Sequence, residues 1–122
     1  MKISEILKNR DITVSYEVFP PKNTAARESV EKAAFEIAAL KPDFMSVTYG
    51  AAGSTKGYTF DLARQIKEHY NVETLAHLTC INSTKDQTVE ALNELKSFGI
   101  DNILALRGDK PADGTVCVSD YN

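Results

Sequence analysis

Four short stretches hold the residue types that chemistry needs, and each lies where an apolar run ends. Glu17 sits in Ser15-Tyr16-Glu17-Val18-Phe19, Ser46 and Thr48 in Phe44-Met45-Ser46-Val47-Thr48-Tyr49, His77 and Thr79 in Ala76-His77-Leu78-Thr79-Cys80, and Arg107 and Asp109 in Leu106-Arg107-Gly108-Asp109. A carboxyl inside an alternating strand needs a partner or becomes harder to ionise. A carboxyl kept protonated in this way is what a general acid requires. His77 reads either as a site group or as a hydrogen-bonded core histidine. Arg107 offers a charge for an anionic group, and Gly108 would let the backbone approach a ligand closely. Cys80 reads as a packed thiol. With His77 it makes only H-x-x-C, without a second ligand pair, so no metal site is expected. The common phosphate and nucleophile motifs are absent: there is no G-x-G-x-x-G after the first strand, no G-x-x-x-x-G-K-[ST] loop and no G-x-S-x-G elbow.

Hydrophobic spacing supplies the elements that must position these groups. Ile3, Ile6 and Leu7 suggest a short leading helix. Residues 13–19 alternate with period two and stop at Pro20-Pro21, which predicts a strand with a firm end. Helical spacing follows over about residues 25–40 and is broken by Lys41-Pro42-Asp43. Residues 44–49 predict a second strand and Gly50 to Ser54 a flexible loop. Phe60, Leu62, Ala63 and Ile66 mark a helix, and residues 74–80 a third strand. Thr84-Lys85-Asp86-Gln87 fits a capping box opening another helix, with Gly99 as its stop. Asn102 to Leu106 is the fourth strand.

The order αβαβαβαβ is the signature of right-handed βαβ units and a parallel sheet. Two α/β folds satisfy it: a small doubly wound sheet, or part of a (β/α)₈ barrel. Strand parity then groups Ser15 with Glu17, Ser46 with Thr48, and His77 with Thr79, while Arg107 and Asp109 keep the parity of Ala105. Parallel strands bring their C-terminal ends to one side, where ligands bind in such folds.

Composition bounds the class of function. The chain has 122 residues and a formal net charge of −3. It is ordinary globular material without a basic run, so nucleic acid is not an expected partner. No apolar stretch is long enough to span a bilayer, and the N-terminus lacks the apolar run of a signal peptide. With two cysteines, a reduced, cytoplasmic protein acting on a small molecule is expected.

The four strand-end stretches, with Pro20-Pro21-Lys22 and Gly50-Ala51 beside them, occur in the order and spacing of the methylenetetrahydrofolate reductase family, which the chain resembles over nearly its whole length. The resemblance implies a flavin-containing (β/α)₈ TIM barrel of the bacterial type, of which residues 1–122 would be the N-terminal half, with four strands and no second domain. It implies FAD as cofactor and NADH or NADPH as co-substrate. Hydride would pass by a ping-pong route to 5,10-methylenetetrahydrofolate, yielding 5-methyltetrahydrofolate for one-carbon and methionine metabolism. Glu17 matches the family's general acid, and Asp109 matches the aspartate beside the flavin that contacts the pterin. Both would therefore be catalytic and substrate-binding. Thr48, Tyr49, Ala51, His77, Arg107, Gly108 and Asp109 match positions that line the FAD. A barrel of this kind takes ~250 residues. Four strands alone would expose the first and fourth as edges through which copies could pair, so a homo-oligomer is expected. The other reading is a non-catalytic half-barrel that folds or pairs without activity.

Overall fold

The computed structural model describes residues 1–21, 23–49 and 56–109. The expected loop from Gly50 to Ser54, with Ala51 in it, lies outside the described residues. The elements follow in the order α1 (Ile3–Asn9), β1 (Ser15–Val18), a 3-10 turn (Thr24–Ala26), α2 (Arg27–Ala39), β2 (Phe44–Val47), α3 (Lys56–Tyr70), β3 (Glu73–Thr79), α4 (Lys85–Ser97) and β4 (Asn102–Leu106). Local chemistry explains their ends. Lys41 takes the left-handed conformation (φ 57°) after α2, and Pro42 prevents further helix. The Thr84 hydroxyl accepts from Gln87 N at 3.2 Å while the Gln87 side chain accepts from Thr84 N at 2.9 Å, the expected capping box. Gly99 (φ 70°) closes α4, with Ile100 N donating to Leu95 O and Gly99 N to Lys96 O, each at 3.0 Å.

β1 and β2 are shorter than their alternation predicts. Val14 still engages β2, but through Asp43: its N–H donates to Asp43 Oδ2 and its carbonyl accepts from Asp43 N. A carboxylate thus takes one place of the ladder at that end. Beyond Val18 the two prolines stop the pairing.

The sheet is parallel throughout and ordered β1-β2-β3-β4. A doubly wound sheet reverses its strand order at a switch point and carries helices on both faces. Here order in space follows order in sequence. One core joins Val18, Met45, Val47, Ala76 and Leu78 of the sheet to Ala34 and Ala38 of α2, Phe60, Ala63 and Ile66 of α3, and Ala91 and Leu95 of α4. All three long helices therefore pack on one face. This is the arrangement of the first half of a (β/α)₈ barrel, and it decides between the two folds that the sequence allowed.

The other sheet face carries the polar strand residues Glu17, Ser46, Glu73, His77, Thr79 and Asn102 among Phe44, Leu75, Leu104 and Leu106, and α1 closes its N-terminal end. Ile3 N donates to Asn102 Oδ1 at 3.0 Å, and Asn102 Nδ2 donates to Met1 O at 3.1 Å. Glu73 Oε1 accepts from the Met1 ammonium at 2.7 Å, and Glu73 Oε2 from Lys67 Nζ at 3.1 Å. Burial pushes the Glu73 carboxyl up, but these two cations outweigh it and hold its pKa below the ordinary value.

Two predictions follow from this packing. The depressed Glu73 pKa means a contribution to stability that is complete above the unfolded-state value and disappears as pH falls through the lower, folded-state value. The stability difference between wild type and Glu73→Gln, from denaturant titration, is expected to be present at neutral pH and to be lost progressively as pH falls below ~4. Thr74 is fully buried on the helix side of β3, and its Oγ1 has no hydrogen-bond partner among the described residues. Thr74→Val keeps the branched shape and removes a desolvated hydroxyl, so it should stabilise by about 1 kcal/mol. A lowered denaturant midpoint would contradict that.

Candidate active site

Register brings three strands' polar groups together. Glu17 pairs with Ser46, and Ser46 with Leu75, so His77 stands one pleat further along the same face. Ser46 Oγ donates to Glu17 Oε2 at 3.1 Å. His77 Nε2 lies 3.4 Å from that same oxygen. Ser46 and His77 are buried, each 8% exposed. The expectation of a desolvated Glu17 is not met: its side chain is 48% exposed. β1 is an edge strand, so the carboxyl reaches solvent while its partners on the inner strands are buried.

Thr48 and Tyr49 extend β2 toward the rim. Thr48 N donates to Val18 O at 3.0 Å, and Thr48 O accepts from the fully buried Thr59 hydroxyl at 2.9 Å, which ties α3 to the strand end. Tyr49 packs on Phe60 with ring centroids 6.1 Å apart. Burial, helped by Glu94 and Cys80, pushes the Tyr49 phenol above its ordinary pKa, so it remains a neutral donor.

Arg107, Gly108 and Asp109 arrive by a different route from the one parity suggested. Ala105 pairs with Leu78, a core residue of the helix side, whereas Leu104 and Leu106 pair with His77 and Thr79. The parity of Ala105 is thus the wrong one for the polar face. The segment after β4 departs from strand alternation at Gly108, where φ is 88°. Cys80 N bonds Leu106 O at 3.1 Å and Ile81 N bonds Arg107 O at 2.8 Å, which holds this segment along the end of β3. A Cβ on Gly108 would stand 3.0 Å from both Thr79 Cβ and Ile81 Cγ2. The close approach that requires glycine is therefore made to the chain's own β3 end.

The result is a groove of about 360 Å³ lined by Tyr49, Thr79, Leu106, Arg107, Gly108 and Asp109. Thr79 lies two residues beyond His77 on the same strand face, which sets the groove next along β3 from the Glu17 cluster; Glu17, Ser46 and His77 do not themselves line it. No hydrogen bond or ion pair between the described residues joins Asp109 to Glu17; the two carboxyls stand in separate parts of one C-terminal rim. A larger cavity of about 610 Å³ lies at the opposite end of the strands, beside α1. Arg10 pairs there with Asp43 and Met1 with Glu73, while Lys41 donates to the Tyr70 carbonyl and Glu5 accepts from Lys2 N. In barrels that end serves stability.

Ala51 lies outside the described residues. Sequence reasoning placed Ser46 on the correct face but missed its bond to Glu17, and it missed Thr59 entirely. The first needs the register between two strands. The second had only a weak signal, a threonine inside the apolar stripe of α3.

Comparison with known proteins accords with this arrangement. A sequence model of the methylenetetrahydrofolate reductase family matches residues 2–121. The 5,10-methylenetetrahydrofolate reductase of Pectobacterium carotovorum is 39% identical over 103 residues, covering 84% of this chain and 35% of the relative. The Escherichia coli protein of that name is 37% identical over 100 residues, covering 82% of this chain and 34% of its own length. A probable methylenetetrahydrofolate reductase (NADH) of Oryza sativa is 38% identical over 110 residues, 90% of this chain and 18% of the relative. The chain spans about a third of the length of these bacterial relatives. It belongs to the methylenetetrahydrofolate reductase family.

Proposed function

We propose that this chain supplies the acid and one wall of the cofactor site in an enzyme that reduces 5,10-methylenetetrahydrofolate to 5-methyltetrahydrofolate with NADH or NADPH. The observation that carries the reading is the convergence of Ser46 and His77 on one oxygen of Glu17, beside an open groove at the C-terminal rim.

The groove suits part of a flavin dinucleotide. Its volume lies at the lower end of small-molecule sites, ~300–1,000 Å³. The exposed Arg107 guanidinium offers donors suited to phosphate, and Tyr49 and Leu106 offer apolar surface for a ring. Thr48, Tyr49, Ala51, His77, Arg107, Gly108 and Asp109 would hold FAD, with its remaining contacts drawn from beyond this chain. When bound, the flavin supplies the hydride that a reduced nicotinamide has given it.

The chain's own residues supply the proton. The folate's five-membered ring must open before its methylene carbon can accept hydride. Glu17 gives a proton to the ring nitrogen as the carbon–nitrogen bond breaks and the bond pair goes to nitrogen. The iminium carbon left behind takes the hydride, and water returns a proton to Glu17. Asp109 would accept hydrogen bonds from the pterin, and its charge disfavours a build-up of negative charge on the reduced cofactor.

A second reading rests on the edges. Leu104 and Leu106 on β4, and Val14 and Tyr16 at β1, are exposed, and open edges pair with other strands. A half-barrel that only pairs, with a second copy or with further strands, would bind no flavin. A stoichiometric flavin absorbance bleached by NADH would exclude it.

Glu17→Gln keeps the size of the side chain and its bond to Ser46 but removes the acidic proton. In the full-length flavoprotein it is expected to retain flavin reduction by NADH and to lose folate reduction by about 10²–10⁴-fold. Equal loss in both half-reactions, measured by stopped-flow absorbance, would contradict the assignment.

A further inference from the structure

Two buried groups contact Glu17, and both meet the same oxygen. Ser46 Oγ donates to Oε2 at 3.1 Å, and His77 Nε2 stands 3.4 Å from Oε2. Among the described residues no hydrogen bond or ion pair reaches Oε1. Glu17 is otherwise a long side chain on an edge strand with half its surface in solvent. Such a side chain has several rotamers of similar energy, and holding it in one costs entropy. Ser46 differs from it in both respects. It is 8% exposed, it stands in the strand position directly paired with Glu17, and its short side chain has little freedom to lose.

We propose that Ser46 is a positioning residue for the proton transfer. Its hydroxyl pins Oε2 as the acceptor oxygen of Glu17, so that the acidic proton is carried on Oε1 and faces the open side of the sheet. With Ser46 as the donor, the chemistry of a carboxylic acid gives this division. A protonated carboxyl has one O–H donor and one carbonyl acceptor. The oxygen that receives the Ser46 hydrogen serves as the carbonyl, which leaves the proton for the other oxygen. His77 adds a second contact on the pinned side. The substrate nitrogen would then meet an acid whose proton already points outward, and misplacement of a reacting group by about 1 Å can cost ~10²-fold in rate. The inference rests on the reading of Glu17 as the acid.

The test is a double-mutant cycle in the full-length flavoprotein with a structural readout beside it. Ser46→Ala is expected to slow the folate half-reaction by about 10–10²-fold, with the loss in the rate and not in the folate dissociation constant, and without a matching loss in flavin reduction by NADH. Ser46→Thr, which keeps the hydroxyl, should recover most of the rate. In the Glu17→Gln background, Ser46→Ala should cost nothing further, because the group it positions is gone. Side-chain ¹³C relaxation of Glu17 should change from one rotamer to averaging in Ser46→Ala. A full folate rate in Ser46→Ala, or the same fold loss with and without Glu17, overturns the positioning role. Folate reduction that survives Glu17→Gln overturns the acid assignment instead. The relaxation measurement then still decides whether Ser46 holds Glu17.

Discussion

The register between β1, β2 and β3 is the constraint on which the rest depends. It pairs Glu17 with Ser46 and Val18 with Val47, and it aligns Ser46 with Leu75 and Val47 with Ala76. Because strand side chains alternate, a slip of one residue would drive Glu17 under the helices and turn Val18 out to solvent. The core enforces the register. Val18, Val47 and Ala76 bury on the helix side against a layer rich in small residues, Ala34, Ala38, Ala63 and Ala91, which let the helices lie close to the sheet. The apolar face thus fixes the geometry, and the polar face inherits it.

The polar face is divided along the strands. At the N-terminal end Asn102 and Glu73 are spent on strapping α1, through bonds to Ile3 N, Met1 O and the Met1 ammonium. Those groups are satisfied internally and leave little for a ligand. At the C-terminal end the partners are fewer and less complete. Glu17 is half exposed, Arg107 and Asp109 are exposed, and burial raises the pKa of the Tyr49 phenol above its ordinary value. Polar groups that are organised but incompletely satisfied are where binding energy remains available. This contrast, together with the side on which the groove lies, supports the proposal that the chemistry belongs at the strand C-termini, where barrel folds generally have it.

Most of the fold was legible because its signals are local. The period of two from Thr13, the prolines after Phe19, the Thr84 capping box and Gly99 each act over a few residues; the strand covers only Ser15–Val18 of the predicted 13–19, and the others found their counterparts in the structure. The barrel-like strand order was not local, and it took the pairing to separate it from a doubly wound sheet. The candidate site was legible in its membership but not in its physics. Parity alone put Ser46, His77 and Glu17 on one face. It could not show that Glu17 is half in solvent, since burial depends on what covers a face and not on the strand itself. It also misplaced Arg107 and Asp109, because the parity they share with Ala105 belongs to the helix side, and alternation then ends where Gly108 turns to positive φ.

The central claim is that Glu17 acts on the folate and not on hydride transfer in general, and competing acceptors test it most directly. Full-length Glu17→Gln flavoprotein, reduced by NADH, would be offered methylenetetrahydrofolate and, separately, a quinone that needs no ring opening. The expected result is reoxidation by the quinone at the wild-type rate and almost none by the folate. Equal slowing with both acceptors, or an undiminished rate with the folate, would contradict the role of Glu17 as the acid that opens the ring.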